Sequence, residues 1–188
     1  MKYSEKRETL IHTAVRLFAE RGFHATGIDL IAEEANVTKK TLYHHFRTKD
    51  ELILASLRYF DGVFRNNFMK NVEAKAESPY ERLLAIYDVA HEWFSQNNFF
   101  GCMFINAIGE YSEEKTPIRQ VCKEFKQLMH DYFESQVIEL DITEPNTVAN
   151  ELALLLEGAI VTAQVSGNPD AANDAKKIAK LILSEAMA

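Results

Sequence analysis

Along the first fifty positions apolar residues recur at helical spacing, broken by short polar turns. Leu10, Ile11, Ala14, Val15 and Phe18 make one stripe between about Ser4 and Arg21, with Lys6, Arg7, Arg16 and Glu20 outside it, and Gly22 closes that helix. From Thr26 to Val37, the residues Ile28, Ile31, Ala32 and Ala35 share a face, and Thr26 with Asp29 makes a capping-box-like start with Asp in place of Glu. Asn36 accepts the left-handed backbone that ends a helix sharply, and Thr38 can then cap the next one. In that next stretch, residues 38–46, Leu42 and Phe46 lie four apart on one face, Lys40 and His44 point the other way, and Thr41 and Tyr43 flank them. The pattern predicts helix, tight turn, helix, with the first helix as the floor beneath.

Thr48 and Glu51 form a second capping box, which opens a longer helix to about Val72 carrying Leu52, Leu54, Leu57, Phe60, Phe64 and Phe68. Beyond it Ser78-Pro79, Thr116-Pro117, Thr143-Glu144-Pro145 and Asn168-Pro169 each pair a cap residue with a proline suited to a first helical turn. With residues 104–112 added, the body has about six helices counting the long one, and no stretch alternates as a strand does. The expected fold is all-α.

Composition refines this picture. With 188 residues, 47% hydrophobic and 26% charged, the chain can bury a sizeable core. A net charge of −7 argues against a nucleic-acid binder, but its distribution does not. Residues 1–49 hold nine Lys/Arg against six Asp/Glu, which is +3 and leaves −10 for the remainder. The outward face of residues 38–46 offers cations, hydroxyls and an aromatic ring, which suit phosphates and base edges in a DNA major groove. The start is charged where a signal peptide would need an apolar run, and the apolar runs near Leu152 and Ile160 are split by Glu157 and Gly158, so neither export nor a membrane span is expected. Cys102 and Cys122 are too few and too far apart for a zinc site or a disulfide framework, which points to a reducing cytoplasm. His91, Glu92, Cys102, Glu110, Cys122 and His130 show no nucleophile spacing and no glycine-rich phosphate loop accompanies them, so neither enzyme, cofactor nor metal site is expected.

The run Phe18-Ala-Glu-Arg-Gly-Phe23, Thr26 with Ile28 to Ala32, Ala35-Asn-Val-Thr38, and Thr41-Leu-Tyr-His-His-Phe-Arg-Thr-Lys49 followed by Glu51-Leu52 resembles the TetR family of bacterial transcription regulators. The resemblance implies a three-helix helix-turn-helix domain over residues 1–48, joined by a long helix to a helical ligand-binding and dimerisation domain over 49–188. It further implies phosphate contacts from Thr26, Tyr43, His45 and Lys49, and groove-edge contacts from Lys39, Lys40, Thr41 and His44. Asn36 stands where the family usually has glycine, and Lys39-Lys40 replaces a more variable, often smaller pair. In the body, Gly101-Cys-Met-Phe-Ile-Asn-Ala107 with Glu110 resembles a phrase from one branch of the family.

The aromatic residues of the body read equally as plain core. If they surround a cavity, as in such a family, then Tyr87, His91, Trp93 and Phe104 would wall it and Asn106 and Glu110 would offer polar groups, the usual form of a small-molecule site. Residues 143–165 are apolar nearly all round and must be covered on both sides. The second cover is expected to be a twofold partner, seated on Leu155, Gly158, Ala159 and Ala163 with Ile178 and Ile182 of the last helix in a four-helix seam. The expected function is a ligand-responsive transcriptional repressor that binds a pseudo-palindromic operator in double-stranded DNA as a homodimer and is released by a small, largely apolar effector. The alternative is a constitutive DNA-binding or architectural protein whose body only dimerises or docks a protein partner.

Overall fold

Helix starts in this chain follow the hydrogen bonds that side chains can supply to the first-turn N–H groups. The computed structural model describes residues 3–188, with side chains from Glu5 onward. Its helices are α1 (Tyr3–Arg21), α2 (Ile28–Glu34), α3 (Lys39–His45), α4 (Lys49–Lys75), α5 (Pro79–Phe94), α6 (Met103–Glu110), α7 (Pro117–Ile138), α8 (Pro145–Ser166) and α9 (Ala171–Ala186). Among the described residues there is no strand, so the all-α expectation holds.

Several caps form as the sequence predicts. The Thr38 hydroxyl accepts from Thr41 N at 3.1 Å to start α3, and Ser78 with Glu81 completes a reciprocal capping box at α5. The Thr116 hydroxyl accepts from Arg119 N at 3.2 Å ahead of α7. At α4, Thr48 accepts from Glu51 N at 3.1 Å, but the Glu51 carboxylate takes the Arg47 N–H at 2.7 Å. Three starts differ. Gly27, not Thr26, is the N-cap of α2, with no side-chain bond, because Thr26 faces inward. Glu144 caps α8 without a side-chain bond. At α9, Asn168 Oδ1 accepts from Asp170 N at 3.0 Å, so Pro169 sits in that turn and the helix begins only at Ala171.

The chain forms two compact units, with α4 and α7 each contributing to both. The first takes in the described residues up to Val63 together with Met103–Phe125. Its core gathers Leu10, Leu17, Phe18, Phe23, Ile31, Leu42, Leu52, Ile53 and Leu57, all at 0 or 1% exposure. Phe104 stacks on Phe125 in the same unit, centroids 3.8 Å apart and planes at 12°. The second unit is Phe64–Cys102 with Lys126–Ala188, where α5, α8 and α9 pack together around Leu83, Ile86, Tyr87, Leu152, Ala179 and Leu183. Tyr87 is wholly buried and its hydroxyl donates to Leu152 O at 2.8 Å. Lys126 to Glu157 and Lys176 to Asp88, each at 2.6 Å, bridge helices at the edge of that core.

Candidate nucleic-acid interface

The turn from α2 into α3 is made by Asn36 at φ 51°, the left-handed conformation that the sequence predicts. It brings α3 down onto its two apolar anchors, since Leu42 is 0% and Phe46 2% exposed. Lys39, Lys40, Tyr43 and His44 are thereby left exposed, and Thr41 half-buried with its hydroxyl 2.9 Å from that of Thr38.

Electrostatics on this face are uneven. Lys39 Nζ reaches Asp29 of α2 at 2.7 Å, and that bond together with the carboxylate charge holds the lysine above its ordinary range. Burial, then the positive charges of His44, Arg7 and Lys6, push His45 below the ordinary imidazole range. Arg7 also stands over the Phe46 ring, its guanidinium carbon 5.1 Å from the centroid. Sequence reasoning missed Lys6 and Arg7. Their placement outside the apolar stripe of α1 was the available signal, and they extend the positive face beyond α3.

Lys49, at the start of α4, is half-buried and its Nζ donates to His24 O at 3.3 Å. Burial lowers its pKa, and the Glu110 and Asp50 charges oppose that. Thr26 requires a correction. Expected at a phosphate, it is 0% exposed, and its hydroxyl is directed at Gly22 O at 2.7 Å and Leu17 O at 3.2 Å. Its side chain ties the end of α1 to the start of α2 and presents no surface to a ligand.

The six residues expected around an effector divide between the units: Phe104, Asn106 and Glu110 in the first, Tyr87, His91 and Trp93 in the second. Phe104 and Tyr87 are core side chains with the partners given above. Asn106 is half-buried. Trp93, also half-buried, lies among Phe64, Phe94 and Phe99 with centroids 4.7, 5.5 and 5.1 Å away. His91 approaches Asp170 at 3.5 Å and borders a polar hollow of about 450 Å³ with Lys75, Asp88, Glu92 and Asn173, rather than an aromatic cavity. The Glu110 carboxylate is engaged by backbone. Oε1 accepts from Phe23 N at 2.7 Å, and Oε2 accepts from His24 N at 2.5 Å and lies 3.3 Å from His24 Nδ1. It also borders a half-open hollow of about 470 Å³ in the first unit, with Asp50, Glu51, Leu54, Tyr111, Glu113 and Ile118 among the lining residues.

The expected seam on α8 and α9 is corrected in part. Ala159 and Ala163 are buried against the chain's own core, and Leu155 and Ile182 are half-buried. Gly158 and Ile178 are exposed. The sequence reading counted Leu154 and Val161 among the apolar residues of this helix but left them, with Val165 and Leu181, out of the seam; Leu154, Val161 and Val165 form with Gly158 an i, i+4, i+7, i+11 stripe on the outer face of α8, and Leu181 lies beside Ile178 on α9. Leu154 is 72% and Val165 84% exposed. Alpha-helix α8 is also long and apolar enough to cross a membrane by composition, but its inner face, with Val148, Leu152, Leu156 and Ile160, belongs to the core of the second unit. Among the described residues His130, Asp131 and Glu134 bring potential ligand atoms within 4.8 Å of one another; His130 is bonded to Asn150 and Glu134 to Asn146.

Two family models match: "Bacterial regulatory proteins, tetR family" over residues 10–56, and "Tetracyclin repressor-like, C-terminal domain" over residues 79–179. The chain belongs to the TetR family of transcriptional regulators, whose members are not enzymes. It is 26% identical over 181 residues to the HTH-type transcriptional regulator YjdC of Escherichia coli, covering 95% of this chain and 93% of that one. To the HTH-type transcriptional repressor KstR2 of Mycolicibacterium smegmatis it is 30% identical over 89 residues, 47% of this chain and 43% of that one. Among solved structures, a TetR-family transcriptional regulator from Streptomyces coelicolor superposes with a TM-score of 0.89 at 28% identity, over 100% of both chains.

The burial of Thr26 separates two roles by experiment. Thr26→Val keeps the shape and removes both hydroxyl contacts, so urea denaturation is expected to show a loss of about 1–3 kcal/mol. DNA affinity, measured where both chains are folded, should stay as in the parent chain; a loss of affinity that is uniform across sequences would restore Thr26 to the phosphate contacts.

Proposed function

We propose that this regulator is a ligand-responsive repressor that binds a pseudo-palindromic operator as a homodimer, each α3 entering a major groove. The observation that carries the reading is the division of α3: Leu42 and Phe46 are buried, while Lys39, Lys40, Tyr43 and His44 are exposed together. Residues 1–48 serve as the DNA-reading part and 49–188 as the effector-binding and dimerising part. Lys40, with Lys39, Thr41 and His44, addresses base edges, and Tyr43, His45 and Lys49 address phosphates. A protein that acts on DNA in this way works in the cytoplasm. Selection from a random duplex library tests the division of roles. Lys40→Ala should change the preferred sequence. Lys49→Ala should weaken all sequences alike and flatten the salt dependence by about one unit of slope. A Lys49→Ala chain that alters base preference at an unchanged salt slope would overturn this assignment.

Dimerisation is supported by the outer stripe of α8 and α9, since contiguous apolar side chains of this kind are unusual on a monomer's surface. Leu154, Val161, Val165, Ile178 and Leu181 form the apolar face, and Gly158, with nothing within 4 Å of a Cβ built on it, lets a second helix approach closely. Gly158→Arg should give a monomer with unchanged helical circular dichroism. A folded variant that still sediments as a dimer would place the seam elsewhere.

The effector reading rests on Trp93, the single tryptophan, half-buried among three phenylalanines. A small apolar molecule seated among these rings would change Trp93 fluorescence. It acts on DNA binding only through different affinities for two conformations, and a coupling of about 1–3 kcal/mol lowers operator affinity roughly 5- to 150-fold. A fluorescence screen of small apolar compounds, followed by operator titration with each hit, checks both parts. Should every hit leave operator affinity unchanged, the constitutive reading replaces this one.

A further inference from the structure

The turn that joins α1 to α2 is gripped by the end of α6, residues nearly ninety positions further along the chain and inside the same compact unit. Glu110 receives the N–H groups of two successive residues, Phe23 and His24, one on each carboxylate oxygen. Charge-assisted bonds of this kind are roughly twice as strong as neutral ones. Next to it, Tyr111 lies against the His24 ring at 4.8 Å and presents itself edgewise to Phe23 at 6.3 Å. Burial, with the negative charges of Asp50 and Glu110, pushes the Tyr111 phenol up to about 12, so it stays neutral beside the carboxylate. Gly22 shows how closely the parts fit: its φ is +83°, and a Cβ there would lie 2.9 Å from Glu110 Oε1. The residue held from one side by Glu110 offers its carbonyl on the other to Lys49, whose Nζ donates to His24 O at 3.3 Å.

We propose that Glu110 is a positioning residue for DNA binding: by fixing the Phe23–His24 backbone it sets the His24 carbonyl that holds the Lys49 ammonium where a phosphate can meet it. The proposal rests on the reading of Lys49 as a phosphate contact. Two consequences follow from the chemistry. A carboxylate is needed to satisfy both N–H groups, because a carboxamide offers one acceptor oxygen and two N–H donors that face the turn's own donors. The effect on DNA must also pass through Lys49, which distinguishes positioning from general support of the fold.

The test uses the full chain, a fluorescein-labelled random-sequence DNA duplex as probe, and Glu110→Gln, Glu110→Ala, Lys49→Ala and the Glu110→Ala/Lys49→Ala double variant. Amide hydrogen exchange first asks whether the clamp exists. Phe23 and His24 should exchange at least about tenfold faster in Glu110→Ala, with Glu110→Gln between it and the parent. Unchanged exchange at both amides overturns the proposal whatever the DNA result. Salt titrations then ask where the effect goes: Glu110→Ala should lose about one unit of slope, roughly tenfold in affinity near 0.1 M salt, and the double variant should match Lys49→Ala. Additive losses in the double variant, or an unchanged slope in Glu110→Ala, overturn the route through Lys49. A Lys49→Ala chain with the parent's salt slope would instead remove the phosphate reading itself. The exchange experiment is independent of that outcome. If Glu110→Ala fails to fold, the comparison of Glu110→Gln with the parent decides by the same two measurements.

Discussion

A seven-residue helix does not hold itself together in water, because isolated helices shorter than about 12–15 residues are marginal even in favourable sequences. Helix α3 has seven residues, so its existence and its orientation depend on the burial of Leu42 and Phe46 against the rest of the first unit. Two fully buried side chains of this size contribute about 1.5–3 kcal/mol each. Everything on the outer face of α3 is placed by those two anchors and by the sharp turn at Asn36. The wider core of Leu10, Leu17, Phe18, Phe23 and Ile31 therefore shapes the outer face of α3 without reaching it.

Local chemistry made much of this legible in the sequence. Thr38 and Ser78 cap the helices that their spacing announces, and the apolar keel of α3 is the i, i+4 pair that periodicity picks out. Thr26 was misread because its neighbours on either side resemble an N-cap context. Its direction is set by the left-handed Gly22, which turns the chain so that the hydroxyl meets Leu17 O of α1 and Gly22 O just beyond it.

Glu110 and α8 show two other limits. The spacing from Asn106 to Glu110 correctly places both on α6, but the groups that Glu110 meets are backbone amides of Phe23 and His24, which carry no side-chain signature at all. On α8 the difficulty is the reverse. A helix apolar on nearly every side has little to distinguish inside from outside, and the division between Ala159 and Ala163 inward and Leu154, Val161 and Val165 outward is decided by where α5 and α9 lie. The i, i+4, i+7, i+11 rhythm was present, but a competing rhythm of buried residues ran beside it.

That outer stripe has a consequence for how much of the protein is folded and active at a given abundance. Apolar side chains left in water by one copy are an incentive to associate, and any association that covers them stabilises the folded state by mass action. Abundance then enters twice, once in the folded fraction and again in the supply of assembled molecules. In a chain that associates through such a stripe, a low copy number leaves a larger share open to proteolysis, and small changes in synthesis are amplified in the concentration of the assembled form.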